Sequence, residues 1–114
     1  MLLWDDRGVR RAINREQVLK EAWIGDAVLT LYARLKILRE DGETDGPKAA
    51  RMTSNQFLAG IGEPSEVEAR IGRVYAEAGL EAAFTYIEAE LVPLFARQEA
   101  KRAVGARRRA NPRS

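Results

Sequence analysis

From Glu16 to Arg39 no proline interrupts a run of helix-forming residues. Its middle, Ala22-Trp23-Ile24-Gly25-Asp26-Ala27-Val28-Leu29-Thr30-Leu31-Tyr32-Ala33, is apolar on nearly every face of a helix. A helix apolar all round has to be covered on several sides. The run therefore reads as the central helix of an all-α domain. The remaining punctuation is helical too. Val9 to Ile13 fits a short first helix. Glu40 to Gly46 is a loop by composition. Pro47 suits the first turn of a helix reaching about Ala59, and Gly60-Ile61-Gly62 breaks it. Pro64 starts another through Glu77, closed by Ala78-Gly79. A last helix covers Leu80 to Lys101, with Pro93 expected to kink or divide it. No segment reads as a strand and no repeat is present. The expected architecture is a bundle of four main helices with short connections. Tyr32, Tyr75, Phe84 and Tyr86 are expected in its core, as aromatics at helical spacing usually are.

The chain has 114 residues, which suits a single domain. It contains no cysteine and no histidine. That removes disulfides, Cys/His zinc sites, thiol nucleophiles and histidine-based triads. An enzyme built from this sequence would draw on carboxylates, lysines, hydroxyls or an oxygen-ligated metal. No stretch has the apolar length of a membrane span. Asp5 and Asp6 stand where a signal peptide carries its basic region. The expectation is a cytoplasmic protein with no membrane partner. The net charge of +2 conceals an asymmetry. Residues 97–114 hold seven basic side chains against one acid, Glu99, and so carry +6. The other residues hold twelve basic and sixteen acidic side chains, and so carry −4. Residues 1–96 thus form the body. Residues 97–114 form a basic helix end followed, after Val104, by a disordered tail. A basic tail on an acidic body suits a polyanion, or serves only to keep the chain soluble.

Two acids stand out. Asp26 lies in the most apolar run, with Ala22, Trp23 and Leu29 as helical neighbours. A carboxylate there has to be paired, hydrogen-bonded or metal-bound. It could equally cap another helix or meet an arginine. Glu68 lies beside the apolar positions Val67 and Ile71, whereas Glu66 faces away. Ser65-x-x-Glu68 also has the form of a capping box, although Pro64 would move the cap back to Gly62 or Glu63. Gly25 and Gly72 sit inside expected helices, where glycine costs about 1 kcal/mol relative to alanine. Glycines at matching depth let two helices approach closely. Such an approach would bring Asp26 and Glu68 together. Two carboxylates from two helices suit Mg²⁺ completed by water and a phosphate, an arrangement able to support phosphodiester cleavage.

Three blocks of sequence carry a resemblance. Glu21-Ala22-Trp23-Ile24-Gly25-Asp26-Ala27-Val28-Leu29 resembles the signature helix of the ribonuclease III family, whose pattern ends Phe-Leu-Gly-Asp-Ala-Val. Thr53-Ser54-Asn55-Gln56-Phe57-Leu58-Ala59 is similar to that family's Val-Ser-Asn-x-x-Leu-Ala helix. The segment from Glu68 to Ala83 is similar to its Glu-Ala-x-x-Gly-Ala-x-Tyr motif, with the short acidic stretch and glycine that follow. The blocks occur in the family's order and span residues 21 to about 87. The resemblance implies a ribonuclease III-like helical bundle that dimerises through the signature helix. It implies a Mg²⁺-dependent endoribonuclease that cleaves double-stranded or structured RNA, such as an rRNA precursor, to 5′-phosphate and 3′-hydroxyl products. Asp26 and Glu68 take the places of the family's metal-binding, catalytic acids. Trp23 takes the place of the aromatic at its dimer interface. An isologous pair of central helices would also explain why this helix is apolar on so many faces; the other reading of Trp23 is ordinary core.

The departures shape the expectation. The family's glutamates four and seven residues before the Asp are Ala22 and Leu19 here, and its second-motif Asp is Ser65. Glu21 is one residue out of place, about 100° round the helix, and is no substitute. The small mini-ribonuclease III branch shares the missing acid at Ala22 and a small polar residue in place of Ser65. It also has no separate double-stranded RNA-binding domain, and the chain is closest to it in character. The segment from Ala59 to Glu68 is shorter than in typical members. The alternative is a catalytically degenerate relative, RNA-binding or ribosome-associated. For either reading Lys101, Arg102, Arg107, Arg108 and Arg109 are the candidate RNA contacts, through phosphates.

Overall fold

The computed structural model describes the backbone of residues 7–110 and side chains from Asn14 onward. The residues behind the leader argument, Asp5 and Asp6, lie outside it, as does Arg113. Among the described residues the structure is all-helical: α1 (Arg7–Asp41), α2 (Gly46–Thr53), α3 (Asn55–Leu58), α4 (Pro64–Ala78), α5 (Leu80–Glu90) and α6 (Val92–Ala110). None of these helices is long and apolar enough to cross a membrane.

The boundaries follow local chemistry, with three departures from expectation. The short helix expected at Val9–Ile13 is continuous with α1. The helix expected from Pro47 to Ala59 is divided at Ser54, whose backbone is extended (φ −73°, ψ 151°). The Ser54 hydroxyl accepts the Phe57 N–H at 3.1 Å, so the side chain ends one helix by capping the next. The tail expected to be disordered after Val104 is helical to Ala110. Arg107, Arg108 and Arg109 stand in its last turn, where cations oppose the negative end of the helix dipole. Pro93 does divide the C-terminal helix. It lies in the first turn of α6, where its missing N–H leaves no bond unmade.

The core lies on one side of α1. Leu29, Tyr32 and Ala33 meet Met52, Phe57 and Leu58 from α2 and α3, Val67 and Ile71 from α4, Ala83 and Ile87 from α5, and Leu91 and Phe95. Burying each large apolar side chain contributes about 1.5–3 kcal/mol. Edge-to-face pairs, Tyr32–Phe84 at 5.2 Å and Phe57–Phe95 at 5.6 Å between ring centres, lock the layers. The Tyr32 hydroxyl donates to Glu88 at 3.3 Å. Burial, then Glu88, pushes that phenol up to about 12. Phe84 and Tyr86 pack against the core as expected. Tyr75 does not; it is exposed on the outer side of α4.

The central-helix expectation holds on one side only. The buried residues of α1 lie along the arc bearing Ala22, Gly25, Val28, Leu29, Tyr32, Ala33 and Ile37. The opposite arc carries Trp23, Ile24, Leu31, Leu35 and Leu38, and all five are exposed, Trp23 at 79%. Trp23, Ile24 and Leu31 are therefore not core residues of the single chain.

Candidate metal and RNA site

The site is built where α1 crosses α4. A Cβ placed on Gly25 would lie 1.7 Å from the Glu68 carbonyl oxygen, and one on Gly72 would lie 2.0 Å from the Glu21 carbonyl oxygen. Each glycine thus packs on the backbone of the residue four positions before the other glycine. Only a missing side chain at both positions allows this approach. At this separation Cα–H groups face carbonyl oxygens, a weak attraction that recurs at close helix crossings.

The crossing sets the two acids side by side. Glu68 is half-buried, and its carboxyl is within hydrogen-bonding reach of Asp26. Burial first, then the Asp26 hydrogen bond and charge, then the Glu63 charge, push Glu68 up to about 7. Asp26 itself is exposed, which corrects the expectation of a carboxylate sunk in the apolar run. It stands on the border of the packed arc, between buried Ala22 and exposed Trp23, so water reaches one side of the pair.

Glu68 is not the partner in a capping box. The N-cap of α4 is Glu63, whose carboxylate accepts the Glu66 N–H at 2.8 Å. The sequence marks Glu63 only as a possible cap; it stands five residues before Glu68 at the start of the same helix, and its charge acts on Glu68. Glu21 holds Arg73 through two hydrogen bonds of 2.9 and 3.3 Å, on the flank of the same crossing. It is committed to that ion pair and points to a different neighbour from Asp26. Among the described residues no group of three or more acids stands together as a metal cluster. The donor set is therefore two carboxylates with water access. Two like charges held this close favour a proton or a cation between them. Mg²⁺ commonly takes one or two protein carboxylates and fills its remaining positions with water and phosphate oxygens. The residues present fit such an ion.

Trp23 and the acid pair lie on neighbouring strips of α1, about 60° apart when Asp26 is followed three residues on from it. The candidate RNA contacts lie elsewhere. Lys101, Arg102, Arg107, Arg108 and Arg109 are all exposed along α6. Glu99, the acid among them, is held by Arg51 of α2 through bonds of 2.7 and 2.9 Å, which keeps its carboxyl below the usual range. The chain matches no protein-family model, no curated protein and no solved structure.

Proposed function

We propose that the protein is a Mg²⁺-dependent endoribonuclease of the ribonuclease III type, acting as a homodimer on double-stranded or structured RNA. The observation that carries this reading is the glycine-on-backbone crossing, which holds Asp26 and Glu68 side by side at the water-accessible edge of the core. A bound divalent ion would be held by these two carboxylates. Its chemistry there would be to neutralise charge on the phosphodiester and to ease deprotonation of water. Asp26 and Glu68 supply the negative charge that retains the ion, and their helices fix their spacing without any loop. In the net reaction, water adds across a phosphodiester bond. One fragment then ends in a 5′-phosphate, and the departing 3′-oxygen takes up a proton as a 3′-hydroxyl.

The dimer rests on the outer arc of α1. Ile24, Leu31 and Leu38 recur at seven-residue intervals, with Trp23 and Leu35 beside them, and all are exposed. An apolar strip of that length suits the same strip of a second copy across a two-fold axis.

The test is cleavage of end-labelled double-stranded RNA in Mg²⁺ and in Ca²⁺, beside Asp26→Asn. Cutting that requires Mg²⁺ and disappears in the variant is the expected result. A second reading, a non-cleaving RNA-binding relative, draws on the two-carboxylate donor set and on Ala22 and Ser65 where the family has acids. It predicts no cutting, with RNA affinity kept by Asp26→Asn.

A further inference from the structure

We infer that the free end of α6 is a folded phosphate-gripping arm for duplex RNA, an inference that rests on the RNA reading above. Phe95 is the last buried residue of the helix. From there to Ala110 the helix runs about 22 Å at 1.5 Å per residue. Arg97, Lys101, Arg102, Arg107, Arg108 and Arg109 project from this stretch, and all are exposed. Among the described residues, none of the six has an acid within ion-pair distance. Glu99, the acid among them, is ion-paired with Arg51, and of the six cations only Arg102 adds its charge to that pair.

The distribution of charge selects the partner. At 100° per residue, Arg97, Lys101 and Arg108 share one strip. Arg102 and Arg109 lie about a third of a turn away on one side, and Arg107 about a quarter turn away on the other. Positive charge thus covers more than half of the circumference. The uncharged remainder is the side from which Glu99 reaches the body. A membrane-lying helix needs one broad apolar face with large side chains, and here the apolar residues are Val104 and alanines. A protein interface needs buried aromatic or aliphatic anchors, and the arm has none. Cations on several sides with no anchor suit a partner that presents phosphates on more than one side, as the flanks of a duplex groove do.

The base of the arm is set at Gly60. At Gly60 an added Cβ would meet the Leu94 side chain at 2.9 Å and the Gln98 amide at 3.9 Å. The arm therefore leaves the body at the Gly60–Gly62 turn. The next residue, Glu63, is the one whose charge acts on Glu68.

The test is binding of a labelled RNA duplex by the full chain, in metal-free buffer, across a salt series. The variant is Arg107→Gln/Arg108→Gln/Arg109→Gln, with the corresponding triple lysine substitution as its charge-keeping control. The glutamine variant is expected to bind at least about tenfold more weakly at ~0.1 M salt. Its log–log salt slope should be shallower by about 2–3. The lysine variant should restore both, since phosphate accepts a point charge. Unchanged affinity and slope in the glutamine variant, with helix content preserved by circular dichroism, would overturn the inference. So would arm-dependent binding to phosphatidylserine vesicles with none to the duplex. Because binding is read without metal, loss of cutting in Asp26→Asn leaves this result standing, and a silent arm leaves the cleavage test standing.

Discussion

The two faces of α1 make a controlled comparison, because they share one helix and one backbone. The inner face carries Ala22, Gly25, Leu29 and Ala33, and α4 approaches it until backbone meets backbone. The outer face carries Trp23, Ile24, Leu31, Leu35 and Leu38, and no helix of the described chain covers it. Small residues permit an approach at which a single added methyl group has nowhere to go. Large residues leave a surface of side-chain tips that fits another surface only at ordinary helix–helix distance. Hydrophobicity thus says that a face should leave water, and residue size says how near its partner can come.

The comparison is broken most sharply at Gly25. Gly25→Ala would press a methyl group into the Glu68 carbonyl, and the helices would have to part. The expected loss is at least about 3 kcal/mol in urea unfolding. Gly46→Ala, with open space around it, should stay within about 0.5 kcal/mol. Near-equal effects for the two would mean that the crossing is looser than its geometry.

The outer face should respond in the opposite way. Trp23→Ala should leave the unfolding free energy of the isolated chain within about 0.5 kcal/mol, since the side chain is 79% exposed. Self-association, followed by sedimentation, should weaken by about 2 kcal/mol or more. An unaltered sedimentation profile would remove Trp23 from the proposed dimer interface.

A smaller effect tests the acid pair at the border of the two faces. In metal-free protein, folded Glu68 holds its proton to about 7, whereas an unfolded glutamate releases it near 4.5. Between those values the folded state binds more protons, so stability falls as pH rises and levels off above the window. Asp26→Asn removes the neighbouring charge and leaves burial and the Glu63 charge, so the fall in melting temperature from pH 5 to 7.5 should shrink without vanishing. The smallest effect belongs to Glu21→Gln. Its ion pair with partly exposed Arg73 is worth under about 1 kcal/mol, and the variant should keep the Glu68 titration intact. A displaced Glu68 titration would show that the two pairs act as one network.

Much of the molecule is legible in its residues. The glycines inside helices and the neighbouring acids suffice to expect the crossing of α1 and α4 and the meeting of Asp26 with Glu68. That expectation holds because a glycine in a helix is costly unless a neighbour needs its missing side chain. Pro93 likewise marks the break between α5 and α6 through local chemistry alone, since a proline has no N–H to continue the helix behind it. Ser54 is less legible, since a serine inside a helical run declares itself as a cap only when its side chain turns back to the next N–H.

The sequence by itself determined the helical composition, the breaks at glycine and proline, and the candidate acids. These depend on local backbone preference and short-range spacing. Only the tertiary structure decided which apolar arc of α1 is covered, because both arcs have the same hydrophobic period. It alone put Tyr75 outside the core and joined Arg51 to Glu99. Those outcomes depend on where distant helices lie around α1, a matter of packing in three dimensions that no one-dimensional period contains.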